Sequence, residues 1–299
     1  MIRPSEFAFN AQTAPSNVFQ KHPSATEHVH EHVLREFDRF VAMLRENKVL
    51  VLVVDDDPER DTPDAIFPNN WISTHEDGTI IIYPLEAENR RAERRMDIVK
   101  AIQNGYRFKH FVDLSFFELS GKFLEGTGSM VLDREFSVVY ASISSRTNPD
   151  VLNYTANLLN YDVVSFHATD QAGRPIYHTN VMMCVGRGFA LVCLEAIHEE
   201  KERSNFLSSL IETNKEIIPV SLDQMNHFSA NMLQIENAEG ESLIVMSSSA
   251  YNALTETQHS ALTRYGKIIH SPLNTIERIG GGSARCMIAE IYPPKTTIL

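Results

Sequence analysis

Near its end the chain reads GGGSARCMIAEI, residues 280–291. A buried structural cysteine needs no run of three glycines ahead of it. A nucleophile does, because a substrate must come close to the backbone there. Cys286 is therefore a candidate thiol nucleophile. His178, in IYHTN, offers an imidazole that can protonate a leaving amine and later take a proton from water. Glu125, in FLEGTGS, offers a carboxylate that would raise the imidazole's pKa and hold its orientation. A thiol of ordinary pKa, about 8.5, is mostly protonated at neutral pH. A neighbouring imidazolium, a cationic substrate or Arg285 would raise its thiolate fraction.

Taken singly, each of these residues has a plain structural reading. Cysteine behaves as a small buried hydrophobe, and Cys184 and Cys193, inside apolar runs, are read that way. A lone histidine is often a satisfied core group, and a carboxylate before Gly-Thr-Gly can bind turn amides. Spacing is the stronger signal. Asp64, Glu125, His178, Asn231 and Cys286 are separated by 61, 53, 53 and 55 residues. Such regularity predicts repeated modules of about fifty residues.

The elements that would carry these residues repeat as well. Four stretches read as hairpins by their turn chemistry: around Asp77-Gly78, Asp133-Arg134, Gly186-Arg187-Gly188, and Asn237 to Gly240. Helical segments are predicted between them over 86–103, 149–159, 199–212 and 256–265. A further helix is predicted over 28–47, with Val29, Val33, Phe37, Phe40, Val41 and Leu44 on one face. The Val/Leu run from Lys48 reads as a buried strand. Five modules would close into a propeller-like ring whose opening loops meet at the axis. No linker interrupts the chain, which fits a ring.

Composition narrows the function. The 299 residues carry a net charge of -12, which argues against a nucleic-acid or anionic membrane partner. No apolar run approaches a membrane span of about 20 residues, and no signal-peptide core is seen at the start. Three cysteines without CxxC spacing make a disulfide framework or zinc knuckle unexpected. A cytoplasmic protein is expected. His28, His30 and His32 suggest a metal site, but only His28 and His32 share a helix face, and they read as solvated surface. GTG and GGG do not meet nucleotide-loop spacing, and no GxSxG elbow occurs. No metal or organic cofactor is expected.

With these residues in place the sequence resembles the guanidino-group-modifying, or pentein, superfamily. PDAIFPNNW, ENRRAE, FLEGTGSM, SISSRTN, YHTN and GGGSARCM occur in the family's order, from Asp64 to Met287. The resemblance implies an α/β fold, a five-fold pseudosymmetric α/β propeller, as one catalytic domain over 1–299. It implies that the strand within 1–10 closes the ring beside the last module. It also implies roles: Cys286 as nucleophile, His178 as acid and base, Glu125 as its partner, and Asp64 in the substrate loop. Arg146 resembles the arginine that holds an α-carboxylate, with Arg90 assisting; a guanidinium fork suits two carboxylate oxygens.

Two positions that are acidic in related deiminases are amides here, Asn70 and Asn180, and Asn69 is an amide too. An amide donates to a carbonyl oxygen and accepts from an NH2, so it matches a neutral ureido group. A buried carboxylate would be costly without a cation. The expectation is hydrolysis of citrulline to ornithine, carbon dioxide and ammonia, as in the bacterial citrulline-hydrolase branch. Asp64 and Glu125 keep arginine or methylarginine open as substrates. An amidinotransferase and a non-catalytic amino-acid sensor are the rival readings. A small amino acid is the expected partner, a homodimer is left open, and the polar stretch 11–27 is a candidate lid.

Overall fold

Four times along the chain an antiparallel hairpin is followed by a helix and then by a third strand parallel to the second. A computed structural model shows this arrangement and describes residues 1–24 and 28–294. In the first module β3 (Ile72–Thr74) and β4 (Thr79–Ile82) form the hairpin, and β5 (His110–Asp113) returns after the helix Met96–Tyr106. The second has β6 (Val131–Asp133), β7 (Val138–Ser142) and β8 (Asp162–Phe166), with the helix Pro149–Leu159. The third has β9 (Met183–Gly186), β10 (Phe189–Val192) and β11 (Glu216–Pro219), with Glu200–Glu212. The fourth has β12 (Leu233–Glu236), β13 (Ser242–Ser247) and β14 (Lys267–Ser271), with Glu256–Leu262.

The fifth module joins the two ends of the chain. β1 (Ile2–Arg3) pairs in parallel with β2 (Val54–Asp55) across the helix Val29–Glu46. Ile2 packs in one cluster with Ala289 and Ile291, so the C-terminal segment takes the place of the missing first strand. The result is the five-fold pseudosymmetric α/β propeller. First strands of neighbouring modules meet toward the axis: β9 packs against β6 on one side and β12 on the other.

All four hairpins turn where the sequence predicts. Gly78, Gly188 and Gly240 adopt φ of 88°, 80° and 80°, which a side chain resists. The helix Val29–Glu46 buries the six residues of its predicted face. They pack on Ile269, Leu273, Ile276, Cys286 and Met287, so this helix backs the Cys286 turn. Each such side chain contributes roughly 1.5–3 kcal/mol before conformational entropy is set against it.

Two elements differ from expectation. The run from Lys48 is not a buried strand: only Val54–Asp55 is strand, and Leu50 is 88% exposed. Val49, Val51 and Val53 lean on the core while no layer covers the other face. The segment 86–103 is not one helix. It is a 3₁₀ turn, Glu88–Glu93, followed by Met96–Tyr106. Three residues per turn put Arg90 and Glu93 in line, and their side chains form a buried ion pair at 2.8 Å. Among the described residues no helix is long and apolar enough to cross a membrane.

Candidate active site

The predicted polar residues all lie on chain that leads into the first strand of a module. Asp64, Glu125, His178 and Asn231 stand eight, six, five and two residues ahead of their strands. The regular spacing therefore reflects module length more than equivalent positions. Cys286 sits in the turn before the C-terminal segment. Cys286, His178, Asp64, Asn70, Arg90 and Arg146 line one narrow cleft, closed by Asn17, Phe67 and Tyr177. Its free space is about 10 Å³, room for one water at most, so an amino acid enters only if the walls part.

The three glycines before Cys286 are packed, not loose. A Cβ on Gly280 or Gly282 would meet the Phe67 ring at 2.9 Å. Gly281 has φ +65°, and a Cβ there would lie 2.5 Å from Asn17. Two amides reach the sulfur: Asn231 Nδ2 at 3.3 Å and Asn180 Nδ2 at 3.5 Å. Asn231 also donates to the Asn180 carbonyl at 2.9 Å and accepts the Arg285 amide at 3.1 Å.

His178 Nε2 lies 2.8 Å from Glu125 Oε2. With Glu125 ionised, Nε2 carries the proton, which leaves Nδ1 to accept one. Burial pulls the imidazole down to about 4, although the Glu125 hydrogen bond and charge act to raise it. Burial also works against ionising Glu125, but Arg146, His178 and Arg90 outweigh it and hold the carboxyl far below its usual range. Arg146 and Arg90 each stand 3.5 Å from Glu125 Oε2.

Asp64 is also buried, and burial pushes its carboxyl upward against the pull of Arg90. Its Oδ2 accepts from Asn10 Nδ2 at 2.8 Å and Thr13 Oγ1 at 3.2 Å. Its buried Oδ1 has no hydrogen-bond partner among the described residues. Arg146 donates from Nη2 to the Thr13 carbonyl at 2.9 Å and to Ser16 Oγ at 2.7 Å. Arg90 donates from Nη1 to Asn70 Oδ1 at 2.9 Å, while Glu93 takes the rest of its fork. Asn69 does not line the cleft; its amide reaches Thr127 Oγ1 at 3.3 Å and supports Asn70.

The structure thus brings Cys286, His178, Glu125, Asp64, Asn70, Asn180, Arg90 and Arg146 together. Sequence reasoning gave Asn231 no role, though its place in the repeat was a signal. Asn10, Thr13, Ser16, Asn17, Tyr177 and Glu93 carried no such signal. Thr13, Ser16 and Asn17 belong to the stretch 11–27 read as a candidate lid, whose residues 25–27 lie outside the described residues, and Asn10 directly precedes it. Cys184 and Cys193 are buried in the apolar core. His28 and His32 are exposed, and His30 accepts the Phe7 amide at 3.2 Å. Among the described residues no cluster of His, Cys, Asp and Glu could hold a metal.

Chemically, such a cleft offers a thiol, a neutral imidazole oriented by an anion, and paired acids and arginines for a zwitterionic ligand. Residues 3–293 match the family described as N,N dimethylarginine dimethylhydrolase, eukaryotic. The chain belongs to that family. It is a member of the pentein superfamily, and its family and the similar proteins below are enzymes acting on guanidino C–N bonds. Among curated relatives it is 24% identical over 267 residues to the bifunctional arginine dihydrolase/ornithine cyclodeaminase AgrE of Nostoc sp., covering 88% of this chain. It is 27% identical over 172 residues, 57% of this chain, to ArgZ of Synechocystis sp.. Those matches span 34% and 22% of the relatives' lengths. The fold superposes on the N-terminal domain of ArgZ, a cyanobacterial arginine dihydrolase, with TM-score 0.74 at 18% identity, covering 98% of both chains. A dimethylarginine dimethylaminohydrolase adduct with S-methyl-L-thiocitrulline gives TM-score 0.64 at 16% identity, covering 96% of both chains.

Proposed function

We propose that the chain is a cysteine-dependent hydrolase that converts citrulline to ornithine, carbon dioxide and ammonia, and that accepts arginine into the same sequence of steps. The observation that carries this reading is that Cys286 and His178 line one cleft while Glu125 holds the far nitrogen of the imidazole. The setting is cytoplasmic, where the three free cysteines stay reduced.

His178, neutral at pH 7, takes the Cys286 proton as sulfur attacks the ureido carbon. Glu125 stabilises the imidazolium that forms. His178 then gives that proton to the departing nitrogen, ammonia leaves, and a thiocarbamate joins sulfur to the substrate carbon. Water, deprotonated by His178, adds to that carbon and the C–S bond breaks. The thiol is regenerated, and the carbamate formed splits into ornithine and carbon dioxide. Two easier steps replace one difficult hydrolysis.

Arginine fits the same cleft because the unpaired Asp64 Oδ1 offers a guanidinium the anion it needs. Loss of one ammonia from arginine followed by water addition gives the citrulline-level adduct. The amides of Asn180 and Asn231 beside the sulfur suit that neutral group, so hydrolysis can run on to ornithine. Arginine with two waters then yields ornithine, carbon dioxide and two ammonia.

The test is product stoichiometry with arginine, citrulline, methylated arginines and agmatine, with glycine and ornithine also supplied as amine acceptors. One ammonia and one carbon dioxide per citrulline, and none from Cys286→Ser, is the expected result. Accumulating citrulline, transfer to an added amine, or turnover confined to methylarginines would overturn it.

A further inference from the structure

The turn that carries Cys286 is held from behind by a carboxylate outside the cleft. Glu277 lies in the π-helical turn Ile276–Gly280, directly before Gly281, and is 7% exposed. Its Oε1 accepts a 2.5 Å hydrogen bond from Ser283 Oγ. The Ser283 carbonyl in turn accepts the Cys286 amide at 3.0 Å. The Glu277 carbonyl accepts the Gly281 amide at 3.0 Å, so one residue holds both the middle of the glycine run and the serine that follows it. Neither Glu277 nor Ser283 lines the cleft.

We propose that Glu277 is a positioning residue for the Cys286 sulfur, acting through Ser283. The proposal rests on the reading of Cys286 as nucleophile. A buried carboxylate is a costly way to brace a turn unless its acceptor oxygens are needed. The side chains of Ser247, the last residue of β13, and Ser249, in the helix Ser248–Ala253 that follows, also face it. The charged group facing it from the helix Val29–Glu46 is another acid, Glu36, which itself accepts the Thr275 and Ile276 amides at 2.8 and 3.0 Å. Burial pushes the Glu277 carboxyl up to about 7, with the serine hydroxyls opposing that and Glu36 adding to it. Gly281, with φ +65°, has no side chain to anchor the segment that follows, so loss of the Glu277–Ser283 link removes a tether between the glycine run and Cys286. A sulfur displaced by even about 1 Å loses on the order of a hundredfold in rate.

The experiment uses the full chain with Glu277→Ala, Glu277→Gln, Ser283→Ala and the Ala double variant, each with a thermal melt. Two quantities are read: kcat and KM with citrulline and arginine, and the rate of Cys286 alkylation by iodoacetamide, located by peptide mass spectrometry. Burial lifts the Cys184 and Cys193 thiols to about 12 and about 11, so they stay slow. Each Ala variant should lower kcat about tenfold with KM changed less than about twofold, and should change the alkylation rate at least about threefold. The double variant should be no worse than either single, because both cut the same link. Glu277→Gln keeps an acceptor for Ser283 and should recover kcat to within about threefold. A folded Glu277→Ala with unchanged kcat and alkylation overturns the proposal, as do additive losses. If Glu277→Ala does not fold, Ser283→Ala decides in the same way. Should the unaltered chain turn over neither substrate, the functional reading fails, while the alkylation rates still report where the sulfur sits.

Discussion

Asn231 and Cys286 meet side chain to side chain: Nδ2 of the amide lies 3.3 Å from the sulfur, and Oδ1 of the same amide receives the Arg285 amide at 3.1 Å. One side chain thus fixes both the backbone beside the cysteine and the sulfur itself. A donor aimed at the sulfur holds the attacking atom in one place.

Asn231→Ala removes both contacts. Turnover should fall by roughly 10²-fold with KM little changed, because the lost interaction acts on the attacking group. Asn231→Asp keeps the Arg285 contact but puts a carboxylate beside sulfur, and should fall at least as far. Steady-state kinetics of both variants check this; a loss confined to KM would place Asn231 on the substrate.

The imidazole gives a pH signature. His178 is pulled from its ordinary 6.5 down to about 4 in the fold. Between those values the unfolded chain binds the proton and the folded chain does not. Stability from this group is therefore complete above about pH 6.5 and is lost as pH falls toward 4. His178→Gln should flatten the fall in melting temperature over that window. Glu125 acts to raise the His178 pKa, so Glu125→Gln should move the acid limb of kcat/KM lower still. The same change should cut kcat by about 10²–10⁴-fold, because the imidazolium loses its anion. A limb that moves upward would contradict the pairing.

Much of this frame was legible in the residues because local chemistry wrote it. Asp77-Gly78, Gly188 and Gly240 demanded turns, and one apolar face set the helix Val29–Glu46. Regular spacing then brought Cys286 and His178 to one cleft across more than a hundred residues. The third strands, β5, β8, β11 and β14, left little trace: segments such as HFVD are largely exposed and short, with no alternation to read. The contacts of Thr13 and Ser16 with Arg146 span about 130 residues and arise only from ring closure. Arg90 read as a substrate residue, yet its fork is largely committed to Glu93, a partner with no signal of its own.

On the proposed function, Arg146 is the residue that would grip the substrate carboxylate. Its fork now holds the Thr13 carbonyl and Ser16 Oγ, at 2.9 and 2.7 Å, and a substrate carboxylate would replace them. A charge-assisted pair contributes about 1.5–3 kcal/mol. Arg146→Ala should therefore raise KM for citrulline roughly 10- to 100-fold. Because Arg146 also steadies Glu125, kcat should fall too, but by less. Agmatine, which lacks the carboxylate, should be indifferent to the change in KM; an equal effect on both substrates would move the grip elsewhere.

Charge at the amides should set which substrate is preferred. Asn70 Nδ2 donates to Asn69 Oδ1 at 3.1 Å, and Asn180 Nδ2 points at the sulfur. Asn70→Asp with Asn180→Asp adds two buried anions that a guanidinium can offset and a ureido group cannot. The ratio of kcat/KM for arginine over citrulline should rise by about tenfold or more. Loss of citrulline turnover with no relative gain on arginine would leave the charge argument without force.

Gly128 tests how closely the site is built. A Cβ at that position would lie 2.4 Å from Asn70 Nδ2 and 2.8 Å from His178 Nδ1. Both neighbours are buried and neither has room to yield: Asn70 is tied to Arg90 and Asn69, and His178 to Glu125. Gly128→Ala must therefore push the imidazole or the amide out of line. Overpacking of this kind costs about 1–3 kcal/mol in stability, and a displaced imidazole costs on the order of 10²-fold in kcat. Gly105, which has no atom within 4 Å of an added Cβ, provides the control. Gly105→Ala should leave both kcat and melting temperature near their original values or raise the latter slightly, since it lies in the helix Met96–Tyr106. A Gly128→Ala protein with full activity would mean that the cleft relaxes further than its buried contacts allow.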